Sequence, residues 1–330
     1  MATLDPGVDE LSSVPADSIH HGARHIGDRV FRGLSAFSGI FILAVMASIG
    51  IFLLWRAVPA LRANTGSFLT SSTWFPDSKP AAFGIAALLF GTLMTAFLAM
   101  LISVPVALGT ALFTAFYAPR RFGSVLGQLI DLLAAVPSIV YGLWGLATLM
   151  PHVSAVAEFL SKHVGFVPLF ANNVDLYTKS IFVAAVVLAI MVLPTVSAIS
   201  REVFRQVPSS HLEAAYALGA TRWEVVRLAV LPFGRAGMIS ASMLGLGRAL
   251  GETIAVALVL SASNVINWHI TEPGGNTFAA NIALKWKEAG NVGVGALIAS
   301  GLVLFLITLL VNTAARLVVA RRAEFSGAAL

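Results

Sequence analysis

The chain has 330 residues, of which 58% are hydrophobic and only 11% charged, with a mean hydropathy of +0.87. That charge is less than half of the ~25% a soluble domain carries, too little to coat a globule of this size, so a soluble enzyme is excluded and the class is an all-α polytopic membrane protein. The absence of cysteine removes disulfides, thiolate metal sites and Cys nucleophiles together; the net charge of +5 is to be read by the side of the membrane on which each positive charge falls, not as a sign of nucleic acid.

Residues 1–28 carry Asp5, Asp9, Glu10, Asp17 and Asp28 without an apolar run, which predicts a polar cytoplasmic tail rather than a signal sequence. Within it His21 and His25 read as a solvated pair. Ile19, Ile26, Val30 and Leu34 recur at helical spacing beside Arg24, Arg29 and Arg32, a pattern suited to a helix at the lipid headgroups over 18–32. The remainder, 29–330, holds six apolar runs. The first predicted span is 33–55; the second, 81–117, is long enough to require either a break near Pro105 or a two-span hairpin. The others are 122–150, 180–200, 236–262 and 289–315.

Charge decides between one crossing and a hairpin. With a single crossing, thirteen arginines face the cytoplasm: three in 24–32, Arg120 and Arg121, five in 201–235, and Arg316, Arg321 and Arg322. Seven basic residues lie outside, and Arg248 lies within the membrane. A hairpin would export Arg120, Arg121 and the five-arginine segment, against the positive-inside tendency. Six spans with both termini cytoplasmic follow, with outer loops at 56–79, 151–179 and 263–288. Trp268, His269, the turn Pro273-Gly274-Gly275 and Trp286 mark the last loop as structured surface.

The cytoplasmic loop 208–232 contains two helix starts. Ser210 with Glu213, and Thr221 with Glu224, each have capping-box spacing; Gly219 sits where the first helix should end, and Pro232 should stop the second. Ala214, Ala215 and Ala217 give the first helix a low-profile surface that can press into a partner. The plain alternative is an interfacial loop in which Glu213 only caps a helix.

Arg248 and Glu252 lie in the fifth span, and a charge at the bilayer centre costs at least ~2.5 kcal/mol. Four residues apart, they share a helix face. Counted from the cytoplasmic ends, Arg248 lies about 18 Å deep and Asp131, in the third span, about 14 Å. These depths lead to the expectation that Asp131, Arg248 and Glu252 face one polar pathway, in which the acids temper the field of the arginine and hold its planar fork in place. A salt-bridged locking element is the competing reading. Pro105, Pro137 and Pro194 interrupt the second, third and fourth spans; Pro137-Ser138 marks the third as broken near its middle, and Thr253 follows Glu252 at the pathway. Gly237, Ala241, Gly245 and Ala249 predict a central, closely packed fifth helix. No phosphate-binding Gly-x-x-x-x-Gly-Lys motif occurs, so ATP hydrolysis by this chain itself is not expected.

Glu213-Ala214-Ala215, followed by Gly219-Ala220, a second helix and Leu231-Pro232, resembles the cytoplasmic coupling loop of ABC importer permeases. Phe83-Gly84-Ile85 with Gly91-Thr92, Pro105 with Gly109, the run Val136 to Gly142, and Arg248 to Thr253 are similar to the phosphate-uptake branch, PstC type. The resemblance covers about residues 30–320. It implies a MetI-like type I importer permease fold and coupling through Glu213, Ala214, Ala215, Gly219 and Ala220. It also implies a second, related permease (PstA type), two copies of an ATPase (PstB type) that carries the ATP-Mg, a phosphate-binding protein (PstS type), inorganic phosphate as substrate, and a bacterial inner-membrane location amid lipid. A permease for another solute remains open, as does, with less support from the coupling loop, an ion-driven secondary transporter.

Overall fold

The computed structural model describes residues 26–327. The polar tail with His21 and His25, and most of the 18–32 segment, lie outside the described residues. The chain divides into two compact units, Met1–Ile51 and Phe52–Leu330. The described part of the first is the N-terminal stretch of a long apolar helix, α1 (Ile26–Ala63).

The second unit is a helical bundle. After α1 a short hairpin, Trp74–Phe75 against Ala82–Phe83, closes the first outer loop. There follow α2 (Ala86–Leu112), α3 (Arg120–Ala134), α4 (Ser138–Trp144), α5 (Met150–Val164) and α6 (Ile181–Arg205). The chain continues through α7 (Ser209–Ala217), α8 (Arg222–Val225), α9 (Leu231–Gly251), α10 (Ile254–Val259), α11 (Phe278–Lys285) and α12 (Asn291–Gly327). Six helical stretches among the described residues are long and apolar enough to cross a membrane: Val30–Ala63, Ala86–Tyr117, Ser138–Val164, Ile181–Arg205, Arg222–Gly251 and Asn291–Leu317.

Several boundaries differ from the sequence reading, each for a physical reason. No break occurs at Pro105 or Pro194, because a membrane helix tolerates the loss of one backbone donor; α2 and α6 run through them, and α2 widens only at its end into a π turn, Phe113–Tyr117. The predicted third span, 122–150, is two elements. Its first half is α3, with Phe122, Val125, Leu129 and Leu132 exposed on one face and Gly123, Gly127 and Ile130 buried on another. The crossing candidate begins only at Ser138 and reaches Val164, so the second outer loop is shorter than 151–179. The fifth candidate starts earlier than 236, at Arg222, passes Pro232 without stopping, and ends at Gly251. Pro232 directly follows the π turn Val226–Val230, and a membrane helix tolerates the loss of one backbone donor there.

The centre of the bundle is α6, the most buried of the six, and not the fifth span. Ala96, Ala99, Ser103, Ala107 and Ala111 form a small-residue face on α2, and the core joins Ala96, Ala99 and Ala107 to Leu188, Val192 and Val196 of α6. Such residues let backbones approach closely where lipid offers no hydrophobic drive. The small residues of α9 serve the same purpose: a Cβ on Gly237 would lie 2.5 Å from Val203, and one on Gly245 2.6 Å from Val196.

The loops expected to face outward are anchored to the bundle. The Asp77 carboxylate accepts the N–H groups of Gly290 (2.9 Å) and Gly293 (2.8 Å) at the start of α12. The Phe278 N–H donates to Thr92 on α2 at 3.1 Å, and Thr277 caps α11. Glu272, buried, accepts from the Asn173 N–H (2.8 Å), from His269 Nδ1 (3.0 Å) and from the Asn267 amide, tying the second outer loop to the third. Those hydrogen bonds outweigh the effect of burial and hold the Glu272 carboxyl below its ordinary pKa. The 263–288 loop is therefore structured, as its turn residues imply.

Candidate functional site: two broken helices and a coupling loop

The helix that enters the third crossing bends at Ala135-Val136-Pro137. The Ala135 and Val136 N–H groups tighten the last turn of α3 onto the carbonyls of Leu132 (3.1 Å) and Leu133 (3.2 Å). Pro137 then takes an extended ψ of 140° and opens α4. The second break has no proline. α9 ends at Gly251, Glu252 adopts an extended ψ of 129°, and the short α10 follows from Ile254. The Glu252 carboxylate accepts the Ala255 N–H at 3.2 Å, and the Thr253 hydroxyl donates to the Gly251 carbonyl at 3.2 Å, so side chains take over bonds that the broken ladder lost.

The two resumed segments, α4 and α10, are seated on each other. A Cβ on Gly142 would come within 2.7 Å of Ala255 Cα, so glycine is what permits this backbone approach. Arg248 lies one turn before the second break. Its cation sits at the helix C-terminus, where it complements the negative end of the macrodipole. Nη1 donates to Thr195 Oγ1 on α6 at 2.8 Å, and the residue is only half-buried. Arg248 also lies within electrostatic range of the buried Tyr141 phenol.

Of the residues expected to line one pathway, Arg248, Glu252, Thr253, Pro137 and Ser138 all lie at or beside these breaks. They do not form the predicted charge cluster. Glu252 stands beyond the end of α9, off the shared helix face, and caps α10 instead of pairing with Arg248. Asp131 belongs elsewhere: both its oxygens accept from Arg201 Nη2 at 2.8 Å. Arg201, counted by charge among the cytoplasmic positives, is only 8% exposed. Depth counting placed Asp131 beside Arg248 because it took residue 122 as the start of the third crossing, whereas the crossing candidate begins only at Ser138, after Asp131.

Thr195 and Arg201 are the residues that sequence reasoning missed. A hydroxyl directly after Pro194 and an arginine ending an uninterrupted apolar run were the available signals. Gly127 makes room for the ion pair, since a Cβ there would overlap Arg201 Nη1.

On the 208–232 loop, α7 is closed by a Schellman arrangement. Gly219 has φ +82°, its N–H donates to the Tyr216 carbonyl (2.9 Å), and the Ala220 N–H donates to the Ala215 carbonyl (3.1 Å). Thr221 then forms the expected capping box, with Glu224 Oε2 accepting the Thr221 N–H at 2.7 Å. The first expected box is absent: α7 starts at Ser209 with Pro208 at the cap, which puts Ser210 inside the helix, and Glu213 is exposed. Ala214, Ala215, Leu218, Ala220, Leu228 and Phe233 line a mostly apolar groove of about 600 Å³ between α7 and the following helix.

Residues 103–324 match the family described as binding-protein-dependent transport system inner membrane component. The chain belongs to that family. The permease is 48% identical, over 88% of its length and 91% of the relative's, to the phosphate transport system permease protein PstC 2 of Mycobacterium tuberculosis. It is 39% identical to PstC of Xylella fastidiosa, over 95% of this chain and 98% of that relative. Among solved structures it is similar in fold to a chain of a bacterial ABC transporter that imports the polysaccharide alginate (TM-score 0.54, 15% identity, 89% of this chain and 99% of that one). A chain of the MetNI methionine ABC transporter is also similar (TM-score 0.50, 17% identity, 72% of this chain and 94% of that one). The permease is thus an integral inner-membrane component of MetI-like ABC-importer fold, related to PstC proteins over most of its length.

Proposed function

We propose that the permease forms half of the translocation pathway of an ATP-driven phosphate importer. The observation that carries this reading is Arg248: one of its five N–H donors is engaged by Thr195 among the described residues, and it stands half-buried between two helix breaks in a chain 48% identical to PstC relatives. A guanidinium fixed through one hydroxyl keeps donors free for an oxyanion. With no carboxylate in direct contact among the described residues, its field is moderated by the C-terminal carbonyls of α9.

A pathway through a membrane requires polar backbone where the helices open. Pro137, Ser138, Glu252 and Thr253 supply it at adjacent breaks, and Glu252 holds the α10 end in place while phosphate passes. Asp131 acts at a distance from this centre, through Arg201, as an anchor of α3 against α6. A second, PstA-type permease completes the pathway, and a PstS-type protein delivers phosphate to the outer loops. Two PstB-type ATPase subunits bind ATP-Mg; no metal-binding group occurs among the permease's described residues, and no nucleotide site or catalytic group is assigned to it. Closure of the ATPases presses on the loop carrying Glu213, Ala214, Ala215, Gly219 and Ala220, and α8 and α9, continuous with it, carry the push to Arg248. Both termini lie on the cytoplasmic side, where the arginines concentrate.

The test is phosphate uptake and ATPase activity of the reconstituted complex carrying Arg248→Gln. Assembly with normal nucleotide binding and a loss of uptake of about tenfold or more is the expected result, the size of one charge-assisted hydrogen bond to the substrate. Uptake at the wild-type rate would remove Arg248 from the pathway. Competition by sulfate or molybdate as effective as by phosphate would assign the permease to another oxyanion.

A further inference from the structure

Pro137 has no N–H, so the carbonyl four residues back, Leu133, lacks its helical donor. The structure shows what replaces it. The Tyr141 hydroxyl, from the first turns of α4, reaches back across the bend and donates to the Leu133 carbonyl at 2.8 Å, beside the weaker 3.2 Å contact from Val136. Tyr141 is 7% exposed. One phenol therefore links the last turn of α3 to the start of α4 directly across the break.

Two further contacts make that link matter. Gly142, next to Tyr141, is the point at which α4 meets Ala255 of α10. Tyr141 itself packs in the same core cluster as Ala249 and Leu250, the two residues that follow Arg248. The angle between α3 and α4 thus determines where α10 and the end of α9 rest. A buried hydroxyl without a partner is costly, so the phenol either keeps the Leu133 carbonyl or moves, and its ring moves α4 with it.

We propose that Tyr141 is a positioning residue of the pathway, whose hydrogen bond to the Leu133 carbonyl fixes the bend between α3 and α4 and thereby the seat of α4 on α10 beside Arg248. The proposal rests on the reading of the Arg248 region as a phosphate pathway. Tyr141 does not touch the substrate; it sets the geometry of the groups that do.

The absence of native cysteine gives a direct measurement. Ile139 on α4 and Ile254 on α10, both exposed, are replaced by cysteine and spin-labelled in the assembled complex, with and without Tyr141→Phe. Phosphate uptake by the same complexes in proteoliposomes is followed as a function of binding-protein concentration. The expected result is a broadened or shifted α4–α10 distance distribution together with a fall in maximal uptake of about tenfold, as for loss of one buried hydrogen bond. The concentration of loaded binding protein giving half-maximal uptake should stay unchanged.

An unaltered distance distribution overturns the proposal whatever happens to uptake, and so does an altered one with wild-type uptake. If Tyr141→Phe does not assemble, Pro137→Ala replaces it: this variant offers the Leu133 carbonyl a backbone donor and leaves the phenol unneeded. Its expected result is the same distance change and loss of uptake; wild-type behaviour in both overturns the proposal. Failure of the underlying reading looks different, because Arg248→Gln would then take up phosphate at the wild-type rate.

Discussion

Arg201, near the C-terminal end of α6, grips both carboxylate oxygens of Asp131 on α3 at 2.8 Å, although the arginine is buried and the aspartate side chain is 53% exposed. The pair joins the central helix to the one whose end bends toward α4. Asp131→Asn leaves a buried guanidinium without its counter-charge, and Arg201 Nε is already unpartnered. The expected cost is about 1–3 kcal/mol, less than the ~3–5 of a fully buried pair because water reaches Asp131. Gly127→Ala should reproduce it by displacing the guanidinium. Thermal unfolding of the purified complex would show both variants lowered together; a stable Gly127→Ala would mean that the arginine has another place to go.

Replacing Thr195 separates its hydroxyl from its shape. Thr195→Ser keeps the oxygen that accepts from Arg248 and should transport as wild type, whereas Thr195→Val should lower uptake several-fold by releasing the guanidinium. Equal uptake by the two variants would show that the hydroxyl has no part in orienting Arg248.

The coupling loop depends on one left-handed residue and one cap. Gly219→Ala forces a Cβ into φ +82° at a cost of about 1 kcal/mol, and Thr221→Ala removes a capping box worth about 1 kcal/mol. Neither position lies in the proposed substrate path. Both variants should therefore reduce uptake per ATP hydrolysed while the complex still assembles, measured as the ratio of transported phosphate to released ADP. An unchanged ratio in both would show that the turn between α7 and α8 does not carry the push.

The join between the second and third outer loops has a defined pH dependence. The Glu272 carboxyl is held below its ordinary value, so the folded form prefers the carboxylate; its contribution is complete above the unfolded carboxyl pKa, ~4.3, and is lost as pH falls through the lower folded value. Hydrogen exchange of residues 165–180 and 263–277 should be pH-independent in its opening equilibrium from about pH 5 upward and rise below about pH 4. In Glu272→Gln that acid step should disappear; its persistence would place the step on another group.

The six apolar runs were legible because hydropathy needs no knowledge of neighbours, and the second cap of the coupling loop was legible because Gly219, Thr221 and Glu224 act within one turn of each other. What sequence did not disclose depends on partners distant in the chain. Pro105 and Pro194 looked like breaks and are not, while the break after Gly251 carries no proline and is held by Glu252, whose charge had suggested a pair with Arg248. Asp131 was placed beside Arg248 because its depth was counted from residue 122, whereas the third crossing candidate starts at Ser138, and the partner Asp131 takes, Arg201, lies 70 residues away.

The Asp77 clasp on Gly290 and Gly293 joins points 213 and 216 residues apart. A Cβ on Gly290 would lie 2.8 Å from that carboxylate, and one on Gly293 would overlap it, so both ends of the clasp are restricted in what they can be. Because its acceptor belongs to the first outer loop and its donors to the start of the last crossing, it cannot close until the last crossing has been inserted. The loop before α2 is in this sense fastened from the final helix backwards, and a chain truncated before α12 would leave Asp77 without either of these donors.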